Sequence, residues 1–138
     1  MSFIFVLASI LISTNVLSQT STPTPDEHIQ YWITTVQGHS YVLVRKNAAR
    51  ELGTLADRRA VPALLKALRD QSYEVRQEAT KALGFLGDEQ ALGRLQEASQ
   101  KDSDALVRGN AREAIERIVA YQEFQRKKRE KLEEKMKP

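Results

Sequence analysis

The sequence contains no cysteine. That excludes disulfides, thiolate metal sites, thiol nucleophiles and a lipid-modified cysteine. Histidine is nearly absent too: His28 and His39 are the only two. Eleven positions apart, they do not sit one turn apart on a helix face as paired metal ligands do. No glycine-rich phosphate loop ending in Lys-Ser or Lys-Thr occurs, and no Gly-x-Ser-x-Gly elbow. Ser72 and Ser99 have no histidine near them in sequence. The longest apolar run, Phe3 to Ile12, has ten residues, against the roughly 20 that a membrane-spanning helix needs. Charge imbalance is small, +3 overall.

What is present divides the chain into four parts. Residues 1–18 read as an export signal: the apolar run is followed by Val16 and Ser18, small enough to precede a cleavage before Gln19. The expected location is therefore periplasmic or secreted, an uncleaved membrane anchor being the alternative. Residues 19–25 form a Pro/Thr/Ser linker, in which Thr24 suits a helix N-cap and Pro25 the first helical position. Residues 26–120 form the body, and residues 121–138 a charged tail.

The body repeats itself. Val44, Arg45, Ala48, Leu52, Gly53, Leu55 and Asp57 recur 31 positions later as Val75, Arg76, Ala79, Leu83, Gly84, Leu86 and Asp88. A third copy has Val107, Arg108, Ala111, Ala114, Ile115 and Ile118. Each copy opens with a helix (A), its apolar residues on one stripe, and continues into a second (B). The B stripes are Val61, Leu64, Leu65 and Leu68, then Leu92, Leu95 and Ala98. Ile29, Trp32, Ile33 and Val36 carry the same stripe in front, so Asp26–Gln37 reads as a leading B helix that shields the end of the stack. A hairpin cannot bury its stripe alone. Stacked neighbours share one core and need the same residues at the same spacing, which explains the echo. The fold expected is all-α: a short right-handed α-solenoid with a long charged C-terminal helix. The third copy has Val119-Ala120 where the second has Gly87-Asp88, so nothing stops its A helix.

The stretches "VRKNAARELGTLADRRAVPALLKAL" and "VRQEATKALGFLGDEQAL" resemble the short HEAT-like repeats of phycobilin lyases and many bacterial proteins. The resemblance implies a structural ladder between the turn aspartates Asp57 and Asp88 and the arginines Arg45, Arg76 and Arg108. Hydroxylases with such repeats use several His-Glu pairs to hold iron. Here the single neighbour pair is Glu27-His28, in reverse order. The likeness to the lyases extends only to repeat type, and export together with a short repeat array argues against bilin attachment.

The expectation from sequence is thus a non-enzymatic protein-binding module with no catalytic residues, metal or cofactor. Its partner, a protein or peptide, would meet the outer B-helix face. Taking the B stripe as inward, Tyr31, Ala63 and Arg94 share one column there, and Tyr31, Arg59, Lys66, Arg94 and Glu97 are the candidate contacts. A second reading gives an anion-binding role to Arg126, Lys127, Lys128 and Arg129. The tail holds seven Lys/Arg and four Glu, and so carries the whole excess charge. It would meet an anionic membrane, polymer or protein rather than nucleic acid. A third reading is an enzyme or enzyme accessory of the lyase-like group.

Overall fold

The computed structural model describes residues 22–137. The expected export segment 1–18 and the start of the linker lie outside the described residues. The elements are α1 (Pro25–Gly38), α2 (Val42–Leu55), a 3-10 turn (Arg58–Ala60) leading into α3 (Val61–Ala67), α4 (Tyr73–Leu86), a second 3-10 turn (Glu89–Ala91) leading into α5 (Leu92–Lys101), and α6 (Ala105–Met136). The A helices are α2, α4 and α6; the B helices are α1, α3 and α5. There is no strand among the described residues.

Local signals set the helix ends. Thr24 caps α1 by accepting from the Glu27 N–H at 3.2 Å, while the Glu27 carboxylate accepts from the Thr24 N–H at 2.8 Å. This reciprocal pair satisfies two donors that a helix start leaves free. The Thr24 backbone and hydroxyl hydrogen bonds hold the Glu27 carboxyl below its ordinary range. The 3-10 turns that lead into α3 and α5 each start from an aspartate: Asp57 accepts from the Arg59 N–H at 2.9 Å and Asp88 from the Gln90 N–H at 3.0 Å.

Helix α4 ends in left-handed Gly87, φ 64°, and α2 ends at the equivalent Ala56, φ 52°. Left-handed backbone places the alanine Cβ against its own carbonyl oxygen, at a cost of about 1 kcal/mol. Ala56→Gly is therefore expected to raise stability by about 1 kcal/mol. Gly87→Ala should lower it by at least as much, because a Cβ there also meets the Tyr121 ring at 3.0 Å. Urea melts of the two variants check both signs.

The core is one continuous layer between the helices. Leu52, Leu64, Leu83, Leu95 and Ile118 are fully buried in it, one from each of α2 to α6. Burial of a leucine of this kind contributes about 1.5–3 kcal/mol. The A helices touch through their smallest residues, Gly53 against Ala82 and Gly84 against Ala114. The B helices α3 and α5 are not in comparably close contact. The wedge between repeats therefore closes on the A side and opens on the B side.

The arginine ladder runs through other aspartates than the turn residues. Arg45 makes a two-pronged bond to Asp70 (Nε 2.7 Å, Nη2 2.9 Å), and Arg76 does the same with Asp102 (2.9 Å each). Each arginine also donates from Nη1 to the two carbonyls of the loop before its helix, as does Arg108 to Asp102 and Ser103. Asp70 and Asp102 lie in the B-to-A turns, beside the first turn of an A helix where the arginines stand. Asp57 and Asp88 lie at the opposite end of those helices, which is why they cap 3-10 turns instead.

Helix α6 does not stop after Ile118. Its last tie to the body is Gln122 Nε2 donating to the Gly87 carbonyl at 3.0 Å. Every side chain from Arg126 to Lys137 is exposed.

Candidate functional site

The B face does not assemble into the expected column. Ala63 is buried, 2 % exposed, while Leu65 is only partly covered. The reason is that α3 packs against both α1 and α4 and buries a second stripe, Ala60, Ala63 and Ala67, beside the leucines. Tyr31 is exposed, its ring edge-on to Trp32. Arg59 is bonded to Asp57 and, through Nη1, to Asp26 at 2.8 Å, so it ties the 3-10 turn to the start of α1. Those carboxylates, Asp57 first, push its pKa further up. Lys66 is exposed in the last turn of α3. Arg94 and Glu97 form an ion pair at 3.3 Å and share a cleft of about 170 Å³ with Leu65, Leu68, Arg69, Ala98 and Lys101. Of the five predicted residues, only this pair lines a common cleft.

A larger groove lies on the A side, between α2 and α4. It has a volume of about 530 Å³ and is lined by Arg50, Gly53, Thr54, Ala56, Glu78, Lys81, Ala82 and Phe85. The contact that draws the A helices together makes its floor of small apolar residues. Phe85 forms one wall and is 63 % exposed. A second cleft of about 160 Å³ continues beyond Phe85 to Lys81, Asn110, Glu113, Ala114 and Arg117. The Arg117 guanidinium stands over the Phe85 ring, 4.9 Å from its centre. The cations of the rim have acidic partners: Lys81 pairs at 3.0 Å with Glu78, whose side chain is 15 % exposed, and Arg117 pairs with Glu113 at 2.7 Å in an exposed pair. The exposed Arg117–Glu113 pair contributes little, so Arg117 can exchange partners. The apolar floor, aromatic wall and basic rim suit a flat apolar molecule carrying carboxylates.

Repeat periodicity gave no hint of this groove. Phe85 aligns with Thr54 in the copy before and with Arg117 in the copy after. The available signal was a lone large aromatic on the outer face of an A helix.

Residues 29–116 match the sequence profile of the family described as HEAT repeats. The chain belongs to this family. Bovine deoxyhypusine hydroxylase is 41% identical over 70 residues, 49% of this chain and 23% of that protein. The Saccharomyces cerevisiae deoxyhypusine hydroxylase is 38% identical over 78 residues, 55% of this chain and 24% of that one. A phycocyanobilin lyase subunit alpha from Picosynechococcus is 43% identical over 53 residues, 38% of this chain and 20% of that protein. The chain thus spans about a quarter or less of the length of these relatives. They overturn the expectation of a non-enzymatic module: HEAT chains at about 40% identity to this one carry the names of a hydroxylase and a lyase.

The residues present do not fit a hydroxylase iron centre. Among the described residues no three His, Asp or Glu side chains converge on a point where a metal could be held. His28 Nε2 accepts from the Trp32 indole at 3.0 Å, His39 Nδ1 accepts from the Tyr41 N–H at 3.2 Å, and Glu27 is the capping carboxylate of α1. All three groups that might have formed a His-Glu pair are engaged in local structure.

Proposed function

We propose that this HEAT chain is an enzyme, or an accessory subunit of one, of the lyase-like kind. Its substrate is a bilin-type, carboxylate-bearing molecule held in the α2–α4 groove. The groove carries the proposal: about 530 Å³ of space with an apolar floor, the Phe85 wall and the Arg50 and Lys81 rim. That volume is within the range of ligand pockets, about 300–1,000 Å³. The similarity to a phycocyanobilin lyase subunit supports the substrate class. Missing metal ligands among the described residues weigh against the hydroxylase alternative.

Phycocyanobilin absorbs in the visible, so titrating it with the purified chain reads binding directly. A saturable change of its spectrum is expected. An unchanged spectrum, with ferrous iron retained stoichiometrically after desalting, would instead place the chain with the hydroxylases.

A further inference from the structure

The exposed half of α6 is sorted by charge around its axis, and the sorting differs from that of the contiguous block at Arg126–Arg129. At about 100° per residue, those four residues are spread round the whole circumference. Lys128 and Arg129 fall on one side, within about 80° of the direction of Tyr121, together with Lys131 and Lys135. The same side carries Phe124, Leu132 and Met136, which are 63%, 53% and 74% exposed, and Tyr121, whose ring packs against Gly87 of the body. No carboxylate lies there. All four glutamates of this segment, Glu123, Glu130, Glu133 and Glu134, point at least about 120° away, with Arg126, Lys127 and Lys137 among them. Among the described residues the one ion pair beyond Gln125, Arg126 to Glu130 at 3.9 Å, lies on that far side.

We infer that this face of α6 is an interfacial membrane contact that selects anionic phospholipid. An apolar and aromatic stripe flanked only by cations is what a helix lying in a bilayer surface presents. The apolar residues enter the headgroup boundary, and the lysines meet lipid phosphates. The glutamates face water in that orientation. The last hydrogen bond to the body is that of Gln122, and every side chain from Arg126 to Lys137 is exposed, so this part of the helix presents its face without unpacking the core. Among the described residues no helix is long and apolar enough to cross a membrane, so the contact is with the surface. The inference stands apart from the substrate groove, which lies on other residues.

Co-sedimentation of the full chain with phosphatidylcholine vesicles, with and without phosphatidylserine, is the test. Binding is expected only with the anionic lipid and should fall as salt rises. Two triple variants of equal charge change separate a face from bulk charge. Lys128→Glu/Lys131→Glu/Lys135→Glu should weaken binding by roughly a hundredfold, at about one cation's surface attraction per lysine. Arg126→Glu/Lys127→Glu/Lys137→Glu should weaken it by roughly tenfold or less, since those side chains face away. Phe124→Ser/Leu132→Ser should also release the chain. Circular dichroism melts should be unchanged in all three variants, because the altered residues lie outside the core. Equal loss in both triples would reduce the effect to net charge and overturn the proposal. So would absence of vesicle binding alongside tight binding of a single-stranded RNA.

Discussion

Asp102→Ala is expected to destabilise the chain by about 3 kcal/mol, the lower end for removing one partner from a buried ion pair. The Asp102 side chain is 7% exposed and that of Arg76 is 12% exposed. Without its carboxylate, Arg76 keeps its Nη1 bonds to the carbonyls of Asp70 and Gln71 and a long Nη2 bond to the Ser103 hydroxyl at 3.3 Å, and its Nε is left desolvated with no partner. The same substitution removes the acceptor for the Asp104 N–H, at 2.9 Å, and so loosens the turn into α6. A loss of that size lowers the melting temperature by roughly 10 °C or more in a domain of this length. Glu113→Ala, which breaks the exposed pair with Arg117, should change stability by no more than about 0.5 kcal/mol.

The ladder also sets the response to acid. Burial alone would push the Asp70 and Asp102 carboxyls up; the arginine forks, the backbone N–H bonds and the nearby positive charges outweigh it and hold both below their ordinary range. The unfolded chain therefore takes up these protons first, at a pKa of about 3.9. The stabilisation is present in full above that pH and is lost as pH falls through the lower folded values. Melts from pH 7 down to pH 3 should show this loss, with a shallower slope in Asp102→Ala.

Gly84→Val is expected to destabilise by about 1–3 kcal/mol, through overpacking rather than through backbone freedom. A Cβ at Gly84 would lie 2.9 Å from Ala114 Cα and 3.0 Å from Ala114 Cβ. The closer of these is backbone and cannot swing aside, so α4 and α6 must part along their contact. Gly109 gives the opposite sign. It lies in α6 with nothing within 4 Å of a Cβ, and Gly109→Ala should stabilise by up to about 1 kcal/mol from helix propensity alone. A pair of urea melts decides whether close A-helix approach, and not helix propensity, governs these glycines.

The stacking core was legible because it is reused: Leu52, Leu83 and Ile115 answer one another at the repeat spacing. The ladder was only half legible. Two aspartates recur per repeat, Asp57 with Asp88 and Asp70 with Asp102, at nearly the same spacing, so periodicity cannot say which one meets the arginine. Only the fold shows that Arg76 starts its helix beside the B-to-A turn and so reaches Asp102. Ala63 was misplaced because the leucine stripe marks only part of the buried arc of α3, and small alanines that pack on a second neighbour carry no hydrophobic signal of their own. The groove was hidden for a different reason. It depends on Phe85, Lys81 and Arg50, which are particular to their copies, whereas comparing copies shows only what they share. The basic block Arg126–Arg129 does not form one patch on the helix surface, because neighbours in sequence point about 100° apart.

The most direct test of the proposed substrate groove is a paired phycocyanobilin titration of the unaltered chain and three variants. Lys81→Glu and Phe85→Ala are each predicted to weaken binding by about tenfold, or roughly 1.4 kcal/mol, with little change in melting temperature. Arg94→Glu, on the opposite face, should bind as the unaltered chain does. Equal affinity in Lys81→Glu, Phe85→Ala and the unaltered chain would contradict the account, and loss confined to Arg94→Glu would move the substrate to the B side.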